Sequence, residues 1–171
     1  ESDNTFFTPD PVKSAPGFAP GKDTALETLW NVQDRRMLAR RVASLKPNTA
    51  PQWGKMSPSM APEHLGIALR VTMGEVEAKP RSGPLRFPPL RTLIIYVLPF
   101  PKSVPTTPEY IVEEEGNFDA RQEEMLKLMN RCSAYPRERL AEHPAFGKLN
   151  EADWGRLHWR HIDHHLRQFG V

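Results

Sequence analysis

Imidazole is the commonest side-chain ligand for transition metals, and this sequence concentrates it. Four of its six histidines fall within His158-Trp159-Arg160-His161-Ile162-Asp163-His164-His165-Leu166-Arg167-Gln168, near the C-terminus. His158, His161 and His165 recur at i, i+3 and i+7, the spacing that gathers side chains on one face of an α-helix. His161 and His165 stand one turn apart, with Cβ atoms roughly 5–6 Å from each other. Two imidazoles held in that way can grip one cation. The plainer reading is that each hydrogen-bonds a buried carbonyl or carboxylate, because a buried ring nitrogen needs a partner.

The helix that must carry them is well marked. Asn150 is a good N-cap, Glu151 and Asp153 bring negative charge to the first turn, and Asp153 occupies the capping-box position. Leu149 and Trp154 stand where a hydrophobic staple would form. Arg167 lies in the last turn and Gly170 follows as a C′ residue, so a helix is predicted from about 150 to 168. At about 100° per residue, Trp154, Leu157, His158, His161, His165 and Phe169 form a stripe that faces a core. Arg160, Asp163 and Arg167 point elsewhere. Trp159 and Leu166 also leave the metal face, toward other parts of the fold or toward a second subunit in a homodimer.

A third ligand must come from another element. Ser57-Pro58 offers an N-cap followed by proline, and a helix is predicted to begin there or, because Pro62 removes an early bond, near Ser59. Over the run to about Met73, His64, Ile67, Ala68 and Val71 share one face, which puts His64 among aliphatic neighbours. His143 is the other candidate. Beside Pro144 in a turn, it reads as a surface or substrate-proximal residue rather than a ligand.

The remaining elements frame these two helices. A first helix is expected from about Asp23 to Lys46, with Leu26, Leu29, Trp30, Gln33 and Met37 as its stripe, Leu38, Val42 and Leu45 continuing it with some drift, and Pro47 as its end. Gln33 would then be either a group behind the metal ligands or an edge residue. Residues 76 to 116 carry eight prolines and form a long connection. Within it, Arg91 to Leu98 is one short helix or an extended apolar segment packed over the body. Glu113-Glu114-Glu115 reads as a solvated loop. Another helix is expected from Asn117 or Phe118 to Ala134, burying Phe118, Met125, Leu128, Met129 and Cys132, with Pro136 beyond it. Residues 1 to 21, rich in proline and glycine, read as an extended arm in which Phe6, Phe7 and Phe18 could dock onto the body. The body spans 22 to 171. Four principal helices with a long second link predict an all-α four-helix bundle with a crossover between helices 2 and 3, and antiparallel pairs on either side of it.

Composition narrows the chemistry further. At 171 residues and 39% apolar content, the chain suits one domain with a real core. Its single cysteine, Cys132, forbids an intrachain disulfide and a cysteine-based zinc cluster, and its helical setting suits a buried thiol rather than a nucleophile. A reducing, cytoplasmic compartment is expected, with a removed leader left open because the first residue is Glu1. The formal charge of +2, from 23 basic and 21 acidic residues, gives no field that would draw nucleic acid. The apolar run from Leu93 to Leu98 is far too short to cross a membrane. Partners among nucleic acids and membranes are therefore not expected.

With these residues in hand, the chain resembles the DinB-like superfamily, in a branch whose members mostly have no assigned activity. The matching features are Met56-Ser57-Pro58 leading to His64-Leu65, the crossover, His143-Pro144-Ala145-Phe146-Gly147-Lys148-Leu149, Trp154, and above all His161-Ile162-Asp163-His164-His165-Leu166-Arg167-Gln168-Phe169-Gly170. The likeness covers roughly residues 22 to 171, and its terminal motif is the specific part. The resemblance implies a four-helix bundle with His64, His161 and His165 around a divalent metal. Met60 and Pro62 depart from what this branch often carries. Relatives include thiol S-transferases that use low-molecular-weight thiols and proteins described as metal-dependent hydrolases.

Three neutral imidazoles leave a coordination position open, as in catalytic rather than structural sites. A thiol or water there would be acidified for attack on a small electrophile. Imidazole suits several metals; zinc or nickel is expected first, with iron or manganese after them. Glu63 and Asp163 adjoin ligands in sequence but diverge from them by about 100° on a helix, so neither is a convincing base. His158, His164 and Gln168 are candidates for groups behind the ligands or lining a substrate site, with His164 expected to hydrogen-bond between helices. The rival reading is a non-catalytic protein whose ion cross-links two helices.

Overall fold

A computed structural model describes residues 26–102, 110–112 and 116–171. The expected arm, the predicted start of the first helix and the acidic loop at 113–115 lie outside these residues. The described residues form five α-helices: α1 (Val32–Ser44), α2 (Met60–Thr72), α3 (Pro88–Tyr96), α4 (Phe118–Ala134) and α5 (Glu151–Gln168). Among the described residues there is no strand, so the chain is an all-α bundle whose four longer helices are supplemented by α3 on the crossover.

Helix α1 starts well after the predicted position. Asn31 is its N-cap, accepting from the backbone N–H groups of Gln33 and Asp34, and Thr28 N–H donates to the Asp34 carboxylate at 2.9 Å. The residues before Asn31 cross α5: Leu29 N–H donates to the Gly155 carbonyl at 3.0 Å and the Trp30 indole to the Glu151 carbonyl at 2.7 Å. Only a glycine permits this approach, because a Cβ on Gly155 would strike Thr28 Oγ1 and the Trp30 ring. The predicted stripe thus merged two segments. Of its positions Leu26 and Met37 are exposed, while Leu29, Leu38, Val42 and Leu45 are buried as expected.

Helix α2 tolerates Pro62 because its first turn has no intrahelical acceptor for that N–H anyway. The turn is held by the Ser57 carbonyl, which accepts from Met60 and Ala61. Ser59 precedes the helix, but its hydroxyl donates to the Gly116 carbonyl instead of capping. The apolar run before Pro99 resolves as helix α3, opened by Pro88 and Pro89. Arg160 of α5 donates to the carbonyls of Ile94, Ile95 and Leu98, the groups a helix C-terminus leaves orphaned, and so fastens the crossover to α5.

The largest core joins Leu38 and Val42 of α1, Leu65 and Leu69 of α2, Met125, Leu128 and Met129 of α4, and Ile162 and Leu166 of α5. Leu166, expected to leave the metal face toward other parts of the fold or a second subunit, is 2% exposed inside this core, and Trp159 packs partly buried against it. A second cluster unites Ile95 of α3 with Phe146, Leu149, Trp154 and Leu157. The expected pairing of helices joined by consecutive links is not what packs: α2 lies against α4, α1 against α5 and α4, and α5 also against α2 and α3. Residues 45–59 and 135–150 are long enough to cross the end of the bundle, so helices consecutive in these links take diagonal positions.

Candidate metal centre

Helix α5 is positioned from both ends. Asn150 accepts from the Asp153 backbone N–H at 2.8 Å, and the Asp153 carboxylate accepts the Tyr96 hydroxyl of α3 at 2.9 Å. Further along, Asp163 is buried between Arg41 of α1 (2.7 Å) and Arg167 (2.8 Å). It was expected to point away from the core, but α5 is packed on nearly all sides and Asp163 serves the α1 contact.

These constraints bring His161 and His165 against His64 of α2. One ligating atom from each lies within 4.8 Å of the others. His64 Nε2 and His161 Nε2 are 3.2 Å apart. Two nitrogens bound at about 2.0–2.1 Å to one tetrahedral ion are about 3.3 Å apart, so that separation fits a shared cation. The three ring centroids lie 4.9 to 5.1 Å apart, each pair edge to face, as rings converging on a point would be.

The outer nitrogens decide whether lone pairs face inward. His64 Nδ1 is 2.9 Å from the Tyr110 carbonyl, which can only accept, so Nδ1 carries the proton and Nε2 presents its lone pair to the cluster. The Gln168 amide nitrogen donates to the Trp53 carbonyl at 2.8 Å, leaving its oxygen to accept from His165 Nδ1 at 2.9 Å. That bond likewise frees His165 Nε2. Gln168 approaches Gly54, whose φ of 74° and lack of a Cβ accommodate the amide. Orientation of a ligating ring through its other nitrogen is the usual arrangement behind a metal centre.

Electrostatics favours neutral rings. Burial lowers the pKa of His64, against a smaller opposing effect of the Tyr110 carbonyl. His161 lies well below the ordinary value, first through burial and then through His165 and His64, and His165 is pushed down to about 3 by burial and by His64. Neutral imidazoles with depressed basicity toward protons are the form that binds metal.

The other sequence candidates have separate fates. His158, 3% exposed, stacks on Trp154 at 5.2 Å and 16°. Its Nε2 lies 2.9 Å from Thr72 Oγ1, whose own proton is directed to the Ala68 carbonyl, so His158 donates there and is a core residue. His164 was expected to hydrogen-bond between helices; among the described residues its ring packs instead among Trp53, Phe100 and His165. Gln33 is exposed on α1 with its backbone at the Asn31 cap, outside the histidine cluster. His143 is not a surface group, since Nδ1 accepts from Ala145 and Phe146 N–H and its ring meets Trp154. The Cys132 thiol is fully buried and pushed up to about 12 by burial, which removes it as a nucleophile. Glu63 is engaged by Arg70 and Arg121. The Tyr110 and Trp53 carbonyls were missed by sequence reasoning, and no residue type could have signalled them, because every residue carries a backbone carbonyl.

No described helix is long and apolar enough to cross a membrane. No curated protein and no solved structure matches the chain. One family model does, and it covers residues 32–170, including α1 through α5 and all three clustered histidines. The bundle and its histidine cluster therefore lie within a shared family sequence, and the chain belongs to DUF1569, a family of proteins of unknown function.

Proposed function

We propose that His64, His161 and His165 hold a divalent ion and that the chain is a DinB-like, metal-dependent enzyme acting on a small molecule. The observation that carries this reading is the pair of outer hydrogen bonds, to the Tyr110 carbonyl and to Gln168, which turn two Nε2 lone pairs toward one point. Zinc or nickel is the first expectation for an all-imidazole set, with iron or manganese next. Bound there with a coordination position open, the ion would supply Lewis acidity, lowering the pKa of a thiol or water.

The chain's own groups favour thiol transfer over hydrolysis. A hydrolase needs a base beside the attacking water. The nearest carboxylates in sequence are committed, Glu63 to Arg70 and Arg121 and Asp163 to Arg41 and Arg167. A thiol needs less help, because its sulfur is strongly nucleophilic once deprotonated. In the transfer, the thiol proton passes to solvent buffer and a sulfur–carbon bond forms. The electrophile's leaving group departs with the electron pair of the bond that breaks.

The test is a coupled assay of metal-loaded protein with N-acetylcysteine and 1-chloro-2,4-dinitrobenzene, following thioether and chloride together. Thioether should form faster than with free metal and thiol, and the excess should vanish in His64→Ala. A rate equal to the protein-free control across a panel of thiols would overturn the transferase reading. Hydrolysis of an activated ester with no thiol dependence would favour the hydrolase.

A further inference from the structure

Helix α5 uses a second face, next to the one that carries the ligating histidines. Arg156, Trp159, Arg160, His164 and Arg167 line a cavity of about 440 Å³ closed on the far side by Trp53, Phe100 and Lys102. A larger cavity of about 580 Å³ lies around Trp30, Tyr96 and the start of α5, where none of the three histidines reaches. The smaller one adjoins the cluster: the His164 ring in its wall is 5.2 Å from His165, and Trp53 is tied through Gln168 to His165.

Its charge is unbalanced. Four cations, Lys102, Arg156, Arg160 and Arg167, face two carboxylates, Glu27 and Asp163. Glu27 is taken by Arg156 at 2.9 Å, and Asp163 is shared by Arg167 and, from outside, Arg41. Lys102 and Arg160 have no carboxylate partner among the described residues. The Lys102 ammonium lies 4.3 Å from the Trp53 ring centroid, and the Arg160 guanidinium lies over Phe100 while holding the α3 carbonyls. Aromatic faces and carbonyls steady these cations without neutralising them. Grouped cations on low-dielectric walls attract an anion, and guanidinium and ammonium donors bind carboxylates through charge-assisted hydrogen bonds.

We propose that this cavity binds the carboxylate of a small organic anion whose apolar body lies on Trp53 and Phe100, so that the thiol used at the histidine cluster is a carboxylate-bearing one. The substrate part of this inference rests on the metal-dependent reading; the anion site itself does not. Trp53 and Trp159 report occupancy through their fluorescence.

The experiment titrates the full-length protein with N-acetylcysteine, its uncharged amide and the thiol-free N-acetylalanine, by calorimetry and by tryptophan fluorescence, with metal content measured on the same samples. The two acids should bind, and the amide should bind roughly tenfold more weakly than N-acetylcysteine. Lys102→Met, at an exposed position, should weaken both acids roughly threefold to fivefold while leaving metal content unchanged, and Lys102→Arg should restore them. His64→Ala should lose metal yet still bind N-acetylalanine. Equal affinity for acid and amide, unchanged binding in Lys102→Met, or no binding of either acid at millimolar concentration would overturn the proposal. Failure of the metal reading shows separately, as His64→Ala retaining the wild-type metal content.

Discussion

His158 and the pair His161 and His165 sit on the same helix, at a spacing that gives all three one face, yet they do different things. His158 is provided for: the Thr72 hydroxyl accepts a hydrogen bond from its Nε2–H, a tryptophan covers its ring, and burial pushes its pKa down to about 3. His161 and His165 meet His64 instead, with the outer nitrogens of His165 and His64 pinned and the ligating nitrogens of all three close together. Helical spacing thus selects a direction, and the atoms waiting in that direction select the role. The facing element is α2 in both cases: Thr72, its last residue, meets His158, and His64 in its first half meets the other two.

Replacing residues on the two sides should separate packing from metal binding. His158→Ala empties a filled core position and should cost about 3 kcal/mol in urea unfolding while metal content stays at the wild-type level. Metal lost in parallel with stability would mean that the two regions are one. Gln168→Leu frees the His165 ring to rotate and should weaken metal affinity about 10-fold to 100-fold, measured by competition with a chromophoric chelator. Unchanged affinity would show that Gln168 only fills space.

Acid sharpens the contrast from the stability side. With a folded pKa of about 3 against 6.5 for an exposed histidine, His158 binds its proton in the unfolded chain before it does in the folded one. Its contribution is therefore complete above pH 6.5 and is lost as pH falls from there toward 3, amounting to about 2 kcal/mol between pH 7 and pH 5. The pH dependence of unfolding should shrink by that amount in His158→Phe, and an unaltered slope would contradict the buried neutral ring. Smallest of all is Gln33→Ala, exposed on α1, which should leave metal content unchanged and stability within about 0.5 kcal/mol.

Legibility in the sequence followed the locality of the cause. Helices α4 and α5 announce themselves, since Asn117 and Asn150 cap them through their own side chains and the apolar period runs unbroken. All five residues expected to be buried on α4 are buried. The clustered histidines were legible because α5 fixes two of them by spacing, while His64 came from the face it shares with Ile67, Ala68 and Val71 and from the family resemblance. What failed was non-local. The start of α1 depends on Gly155, more than a hundred residues away, and the diagonal placement of consecutive helices depends on how the links cross the bundle end. Gln33, read as a group behind the ligands or an edge residue, is exposed as an edge residue would be, and His164, expected to hydrogen-bond between helices, packs its ring among aromatic neighbours that lie far away in the sequence.

The central claim is that His64, His161 and His165 share one cation. Metal content per chain, measured by elemental analysis of protein purified without added metal, tests it across wild type, His64→Ala, His161→Ala and His158→Ala. One equivalent in wild type and in His158→Ala, with near none in the other two, is the predicted result. Equal metal in all four proteins, or none in the wild type even after incubation with zinc or nickel, would contradict it.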